Sequence, residues 1–74
     1  MKEQYRLVNR LRVARAEQDL SQEELAAMAG VTRQTISYIE TGQYSPSTRL
    51  ALVLALKLGK RVEDLFSLQE EASK

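Results

Sequence analysis

Apolar residues recur at helical spacing along most of the chain, and the breaks between the runs divide it into five predicted elements. Between Tyr5 and Glu17, Leu7, Val8, Leu11 and Ala14 lie three or four residues apart or side by side, which predicts a first helix with one buried stripe. Ser21 and Glu24 form a capping box, in which the hydroxyl accepts a free helical N–H and the carboxylate reaches back to the cap's own N–H; Leu20 and Leu25 flank it as a hydrophobic staple. A second helix is expected from Gln22 to about Ala29, ending at Gly30, which has no Cβ to oppose a left-handed backbone. Thr32 caps a third helix, and Val31 with Ile36 repeats the staple spacing. From Gly42 to Ser47 the chain reads as a loop, because Pro46 is barred from a helix interior and Ser45 or Ser47 can cap the next helix. A fourth helix over 47–58 buries Leu50, Ala51, Leu54, Ala55 and Leu58 and leaves Leu52, Val53 and Leu56 off the stripe, more apolar surface than a solvated face needs. Gly59 ends it. Val62 to Phe66 predicts a short fifth helix, and SLQEEASK beyond it reads as a frayed tail or a short edge strand. The expected fold is all-α: five helices in one domain over residues 1–74, with a tail at 67–74.

Residues 21–41 have a further property. Two short helices joined by a tight turn containing glycine make a helix-turn-helix arrangement, in which the second helix is the one that reads a ligand. At about 100° per residue, Ile36 and Ile39 of that helix point inward, Gln34, Ser37, Tyr38 and Thr41 point outward, and Arg33 lies at the flank. The outward face is polar but scarcely charged, and its long hydrogen-bonding side chains suit the edges of nucleic-acid bases; a solvated surface helix without a ligand is the plain alternative. Arg15 sits four residues after Leu11 and Glu40 four residues after Ile36, so each charge lies at the apolar side of its helix. Glu40 is also near a helix C-terminus, where the dipole disfavours an anion. The two explain each other as an ion pair between the first and third helices, the alternative being two independently solvated charges.

From Leu11 to Phe66 the sequence resembles the phage repressor and Cro type of helix-turn-helix DNA-binding domain, also called XRE-like. LSQEELA at Leu20 to Ala26, GVTRQTISYIETG at Gly30 to Gly42, YSPS at Tyr44 to Ser47, LALVLALKLG at Leu50 to Gly59 and VEDLF at Val62 to Phe66 carry the match. Its specific part is the spacing of Ala26, Gly30, Ile36 and Ile39, which lets two helices cross closely over two apolar anchors. The resemblance implies a sequence-specific transcriptional regulator, of the bacterial or phage repressor kind, that binds double-stranded DNA as a homodimer on an inverted-repeat operator. It also implies roles. Arg33, Gln34, Ser37 and Tyr38 would face base edges, Gln22 would hold a phosphate or flanking base, Thr32, Thr35, Gln43, Tyr44 and Ser47 would engage the DNA backbone, and Arg15 would pair with Glu40. Tyr38 departs from the small or amide side chains common at its position, Met28 from a charged one, and Arg61 from a Ser or Thr cap. Similar domains also serve as antitoxins that bind a toxin partner, or as the N-terminal part of longer regulators that sense an effector.

Composition narrows the remaining classes. A 74-residue chain forms one small core, burying about 60% of the surface its unfolded form exposes, with little room for a cleft. Without Cys or His there is no disulfide, no thiolate metal site and no usual general base, so neither an enzyme nor a metal or cofactor site is expected. No apolar run reaches the roughly 18 residues of a membrane span and the N-terminus has no signal-peptide core, which predicts a soluble cytoplasmic protein. The net charge of +1 is not strongly basic, but it is unevenly spread. Lys2, Arg6, Arg10, Arg12 and Arg15 precede an acidic stretch with Glu17, Asp19, Glu23 and Glu24; Lys57, Lys60 and Arg61 form a second basic group; Glu70 and Glu71 make the tail acidic. Arg10 is expected to meet phosphate, whereas Lys2 and Arg6 are expected in solvent. One reading helix offers little contact area, so self-association is expected through the fifth helix and the turn before it, with Lys60, Arg61, Val62 and Leu65 in the contact and Leu56 adding apolar area. The alternative is that Val62 and Leu65 complete the monomer's own core.

Overall fold

Five helices lie between two strands in residues 4–71, the part of the chain that the computed structural model describes: β1 Gln4–Asn9, α1 Leu11–Glu17, α2 Gln22–Ala29, α3 Arg33–Glu40, α4 Thr48–Leu58, α5 Val62–Leu65 and β2 Phe66–Glu71. Lys2 and Glu3, and the last three residues of the expected tail, lie outside the described residues. Each helix contributes its apolar stripe to one core made of Leu11, Ala14, Leu25, Ala26, Ile36, Ile39, Leu50, Leu54, Ala55, Leu58 and Leu65. Leu20, Val31, Val62 and Phe66 seal its edges. The helix ends reflect the local chemistry. Ser21 Oγ accepts from the Glu24 amide and Glu24 Oε1 from the Ser21 amide, Ser47 Oγ accepts from the Leu50 amide, and Gly30 and Gly59 close α2 and α4 in the left-handed conformation. Arg61 offers no capping side chain; instead Asp64 Oδ2 accepts from the Arg61 amide at 3.2 Å.

The N-terminal segment departs from expectation. The first helix begins at Leu11, not near Tyr5, and Gln4–Asn9 is a strand paired antiparallel with Phe66–Glu71, in register from Gln4 with Glu71 to Asn9 with Phe66. Leu7 and Val8 therefore belong to a ladder and not to a helical stripe. The helical spacing of Leu7, Leu11 and Ala14 coexists with strand alternation in Tyr5, Arg6 and Leu7, and the partner that decides between them is some sixty residues away. Asn9 makes the change of direction: its Oδ1 accepts from the Leu11 amide at 3.1 Å, and its Nδ2 donates to the Ile39 carbonyl at 2.9 Å. The Arg10 amide donates to the Leu65 carbonyl at 2.8 Å, tying the starts of α1 and β2 together. The tail is thus the strand alternative, Phe66 opens β2 instead of closing α5, and Ala51 is half-buried instead of fully so. One face of the ribbon carries Tyr5, Leu7 and Leu68, all exposed; on the other, Arg6 donates to Gln69 Oε1 at 2.9 Å. No helix among the described residues is long and apolar enough to cross a membrane.

Candidate nucleic-acid interface

The orientation of α3 is set by the turn before it. Gly30 holds φ at 74°, and a Cβ built there would meet nothing within 4 Å, so the backbone conformation and not lack of space calls for glycine. The Val31 amide then donates to the Ala26 carbonyl at 3.0 Å, and Thr32 Oγ1 accepts from the Thr35 amide at 3.2 Å, starting α3 within three residues of the end of α2. Ile36 and Ile39, both buried, pin the inner side.

The outer side is then fixed by geometry. Arg33, Gln34 and Tyr38 are exposed, and Thr35 and Ser37 are half-buried beside them. Gln34 Nε2 donates to the Tyr38 hydroxyl at 2.9 Å, and Thr32 Oγ1 lies 3.0 Å from Thr35 Oγ1. The loop after α3 folds back on it: the Tyr38 carbonyl accepts from the Gln43 amide at 2.8 Å and the Tyr44 amide at 3.2 Å, while Gln43 Nε2 donates to Thr41 Oγ1 at 3.0 Å. Exposed polar groups of α3, of its cap and of this loop thereby form one surface, with Ser47 at the cap of α4 next in sequence.

A buried carboxylate braces this surface from behind. Glu40 Oε2 accepts from Arg15 Nε at 2.8 Å, and Glu40 Oε1 accepts from Arg15 Nη2 at 3.2 Å and Gln22 Nε2 at 3.0 Å. Arg15 Nη1 also donates to the Leu20 carbonyl at 2.8 Å, so one guanidinium joins α1, the loop before α2 and α3. The Glu40 side chain is 0% exposed and that of Arg15 16%. Burial pushes the Glu40 pKa up, but the hydrogen bonds from Arg15 and Gln22 and the charges of Arg15 and Arg12 outweigh it and hold the carboxyl below its ordinary value.

Two of the expected contact residues have neighbours within the protein. Gln22, read as a phosphate or flanking-base contact, is half-buried with its amide turned onto Glu40. Arg10 is not gathered with α3; it lines a shallow groove of about 400 Å³ with Val13, Glu17, Lys60, Glu63 and Asp64, between α1 and α5. Besides the largely buried Arg15, the α1 cation beside α3 is Arg12, whose Nε lies 3.6 Å from Glu40 Oε1 and whose side chain remains 67% exposed. Its signal was present in the sequence, since Arg12 stands three residues before Arg15 and so shares its helix face. Of the residues expected in a dimer contact, Leu56 is 74% exposed, Arg61 is exposed, and Val62 is half-buried. Lys60 pairs with Glu17 at 3.0 Å. Leu65 is 1% exposed: it fills the monomer's own core and has no surface to offer a partner.

The sequence profile of the family described as Helix-turn-helix matches residues 11–65. The chain belongs to this XRE-like helix-turn-helix family. An uncharacterized HTH-type transcriptional regulator of Methanothermobacter thermautotrophicus is 51% identical over 65 residues, 86% of this chain and 94% of that protein. Another, of Archaeoglobus fulgidus, is 47% identical over 62 residues, 84% of this chain and 89% of the other. Among solved structures, the restriction-modification controller protein C.AhdI from Aeromonas hydrophila superposes with a TM-score of 0.69 at 35% identity, over 73% of this chain and 78% of that one. In this helix-turn-helix protein the family match begins at the first residue of α1 and ends at the last of α5, so the β1–β2 ribbon lies outside it.

Proposed function

We propose that this protein is a sequence-specific regulator of transcription that seats α3 in the major groove of duplex DNA and binds as a homodimer on an inverted-repeat operator. It works in the cytoplasm and catalyses no reaction. The observation that carries this reading is the outward face of α3, where Arg33, Gln34, Ser37 and Tyr38 present donors and acceptors with only one formal charge. Such a face would be poorly chosen for bulk solvent and suits the mixed donor and acceptor pattern of base edges. Around it, the Ser47 hydroxyl accepts from a backbone amide and keeps its own hydrogen to donate, and the Thr32 and Thr35 hydroxyls, which share one hydrogen bond, keep one hydrogen between them; both arrangements suit phosphate oxygens. Thr35, Gln43 and Tyr44 extend that rim, and Arg12 replaces Arg10 as the α1 cation near the phosphates. Gln22 holds Glu40 with one N–H and keeps its second N–H and its Oε1 for a phosphate or flanking base.

The dimer surface assigned here is the exposed side of α4 and the turn into α5: Leu56 with Leu52 one turn before it, then Lys60, Arg61 and Val62, with Leu65 excluded. A two-fold axis there would set two copies of α3 about 34 Å apart, in successive major grooves. The test is selection of bound duplexes from a random library, with the mass of the complex measured on the winning site. Enrichment of an inverted repeat carrying two copies of the protein is the expected result; binding without any enriched sequence, or one copy per site, would contradict it.

A further inference from the structure

We infer that Tyr38 commits Gln34 to adenine, an inference that rests on α3 facing base edges as proposed above. The two residues stand one turn apart on α3, both exposed, and Gln34 Nε2 donates to the Tyr38 hydroxyl at 2.9 Å. Neither side chain belongs to the core, so packing does not require the contact. Its effect is on the count of donors. A primary amide has two N–H donors and one carbonyl acceptor. With one N–H held by the phenol oxygen, Gln34 turns outward one N–H and Oε1, a donor beside an acceptor. Adenine's major-groove edge is the complement, with N7 to accept and the N6 amino group to donate. Guanine offers two acceptors, N7 and O6, and the anchored amide has one donor left; its Oε1 would face a second acceptor. An unanchored glutamine can turn both N–H groups toward guanine. Tyr38 is therefore a positioning residue that removes this choice.

The inference is tested by competition binding of the wild type, Tyr38→Phe, Gln34→Ala and the double variant across every single-base change of the selected operator. Phenylalanine keeps the half-exposed ring and removes only the hydroxyl, and matched thermal melts verify folding. The expected result is that Gln34→Ala abolishes an adenine preference at one base pair per half-site. Tyr38→Phe should cut the adenine-over-guanine ratio at that same pair by roughly three- to tenfold, about the worth of one hydrogen bond, with other preferences intact. In the Gln34→Ala background the tyrosine change should then have no further effect on that ratio. If Gln34→Ala leaves every preference intact, the base-reading role of α3 is wrong and the inference goes with it. If Gln34→Ala removes the preference while Tyr38→Phe does not alter the ratio, or alters it equally without Gln34, the role of Tyr38 alone is overturned. A guanine preference that depends on Tyr38 would also overturn it, since the amide would then be turned the other way.

Discussion

Glu40 shows how much one side chain can settle in a domain of this size. Its carboxylate is out of solvent, yet it is ionised because Arg15, Gln22 and Arg12 converge on it from two other helices. Removing Arg15 leaves that charge buried without its bidentate partner, so Arg15→Ala is expected to cost about 3 kcal/mol in chemical denaturation. Arg12→Ala should cost less than about 1 kcal/mol, because the Arg12 guanidinium is largely exposed and solvent screens its attraction to Glu40 at 3.6 Å. Equal shifts in the two midpoints would count against the pair as a brace. The pH dependence takes its sign from the depressed pKa. A carboxyl held below its unfolded value near 4.5 contributes stability above that pH and loses it as pH falls through the folded value. The stability gap between wild type and Glu40→Gln should accordingly be constant at neutral pH and shrink below about pH 4.5. A gap unchanged down to about pH 3 would show that ionisation of Glu40 plays no part.

At the level of elements, the sequence made legible whatever local chemistry determines. Ser21 with Glu24, Thr32, Gly30, Pro46, Ser47 and Gly59 mark helix ends within a few residues, and α2, α3 and α4 begin and end where they indicate. The face of α3 could be read from the positions of Ile36 and Ile39 alone. The Arg15 and Glu40 contact was legible for a related reason, as two charges each on an apolar stripe. The strand β1 was not legible, because Leu7 and Val8 fit a helix that continues into Leu11, and only pairing with Phe66–Glu71 outweighs it. The place of Arg10 follows from the same pairing, since a helix starting near Tyr5 gives no reason for Arg10 to sit at the boundary facing α5. The boundary has its own test. Asn9 holds both the Leu11 amide and the Ile39 carbonyl, so Asn9→Ala should destabilise by about 1–2 kcal/mol by thermal melt, more than Gln4→Ala at the far end of the same strand. A variant as stable as wild type would mean that the strand-to-helix change is held by the sheet alone.

For the whole molecule, a net charge of +1 means that affinity for DNA cannot come from bulk attraction and must come from where the polar groups stand. Binding should weaken with salt in proportion to the phosphates neutralised, with a shallower slope than a strongly basic domain shows. The proposed dimer should depend on the exposed apolar side of α4: Leu56→Glu is expected to yield a folded monomer by sedimentation and to weaken binding to a two-half-site operator far more than to one half-site. The most direct measurement of the central claim compares Gln34→Ala with Gln43→Ala in competition across all single-base variants of the selected operator. Gln34→Ala should lose roughly 1–3 kcal/mol on the best site and flatten the preference at one base pair in each half-site. Gln43→Ala should weaken good and poor sites alike, because a phosphate is the same under every base. A uniform loss for Gln34→Ala, with every base preference intact, would contradict the account of α3 as the reading helix.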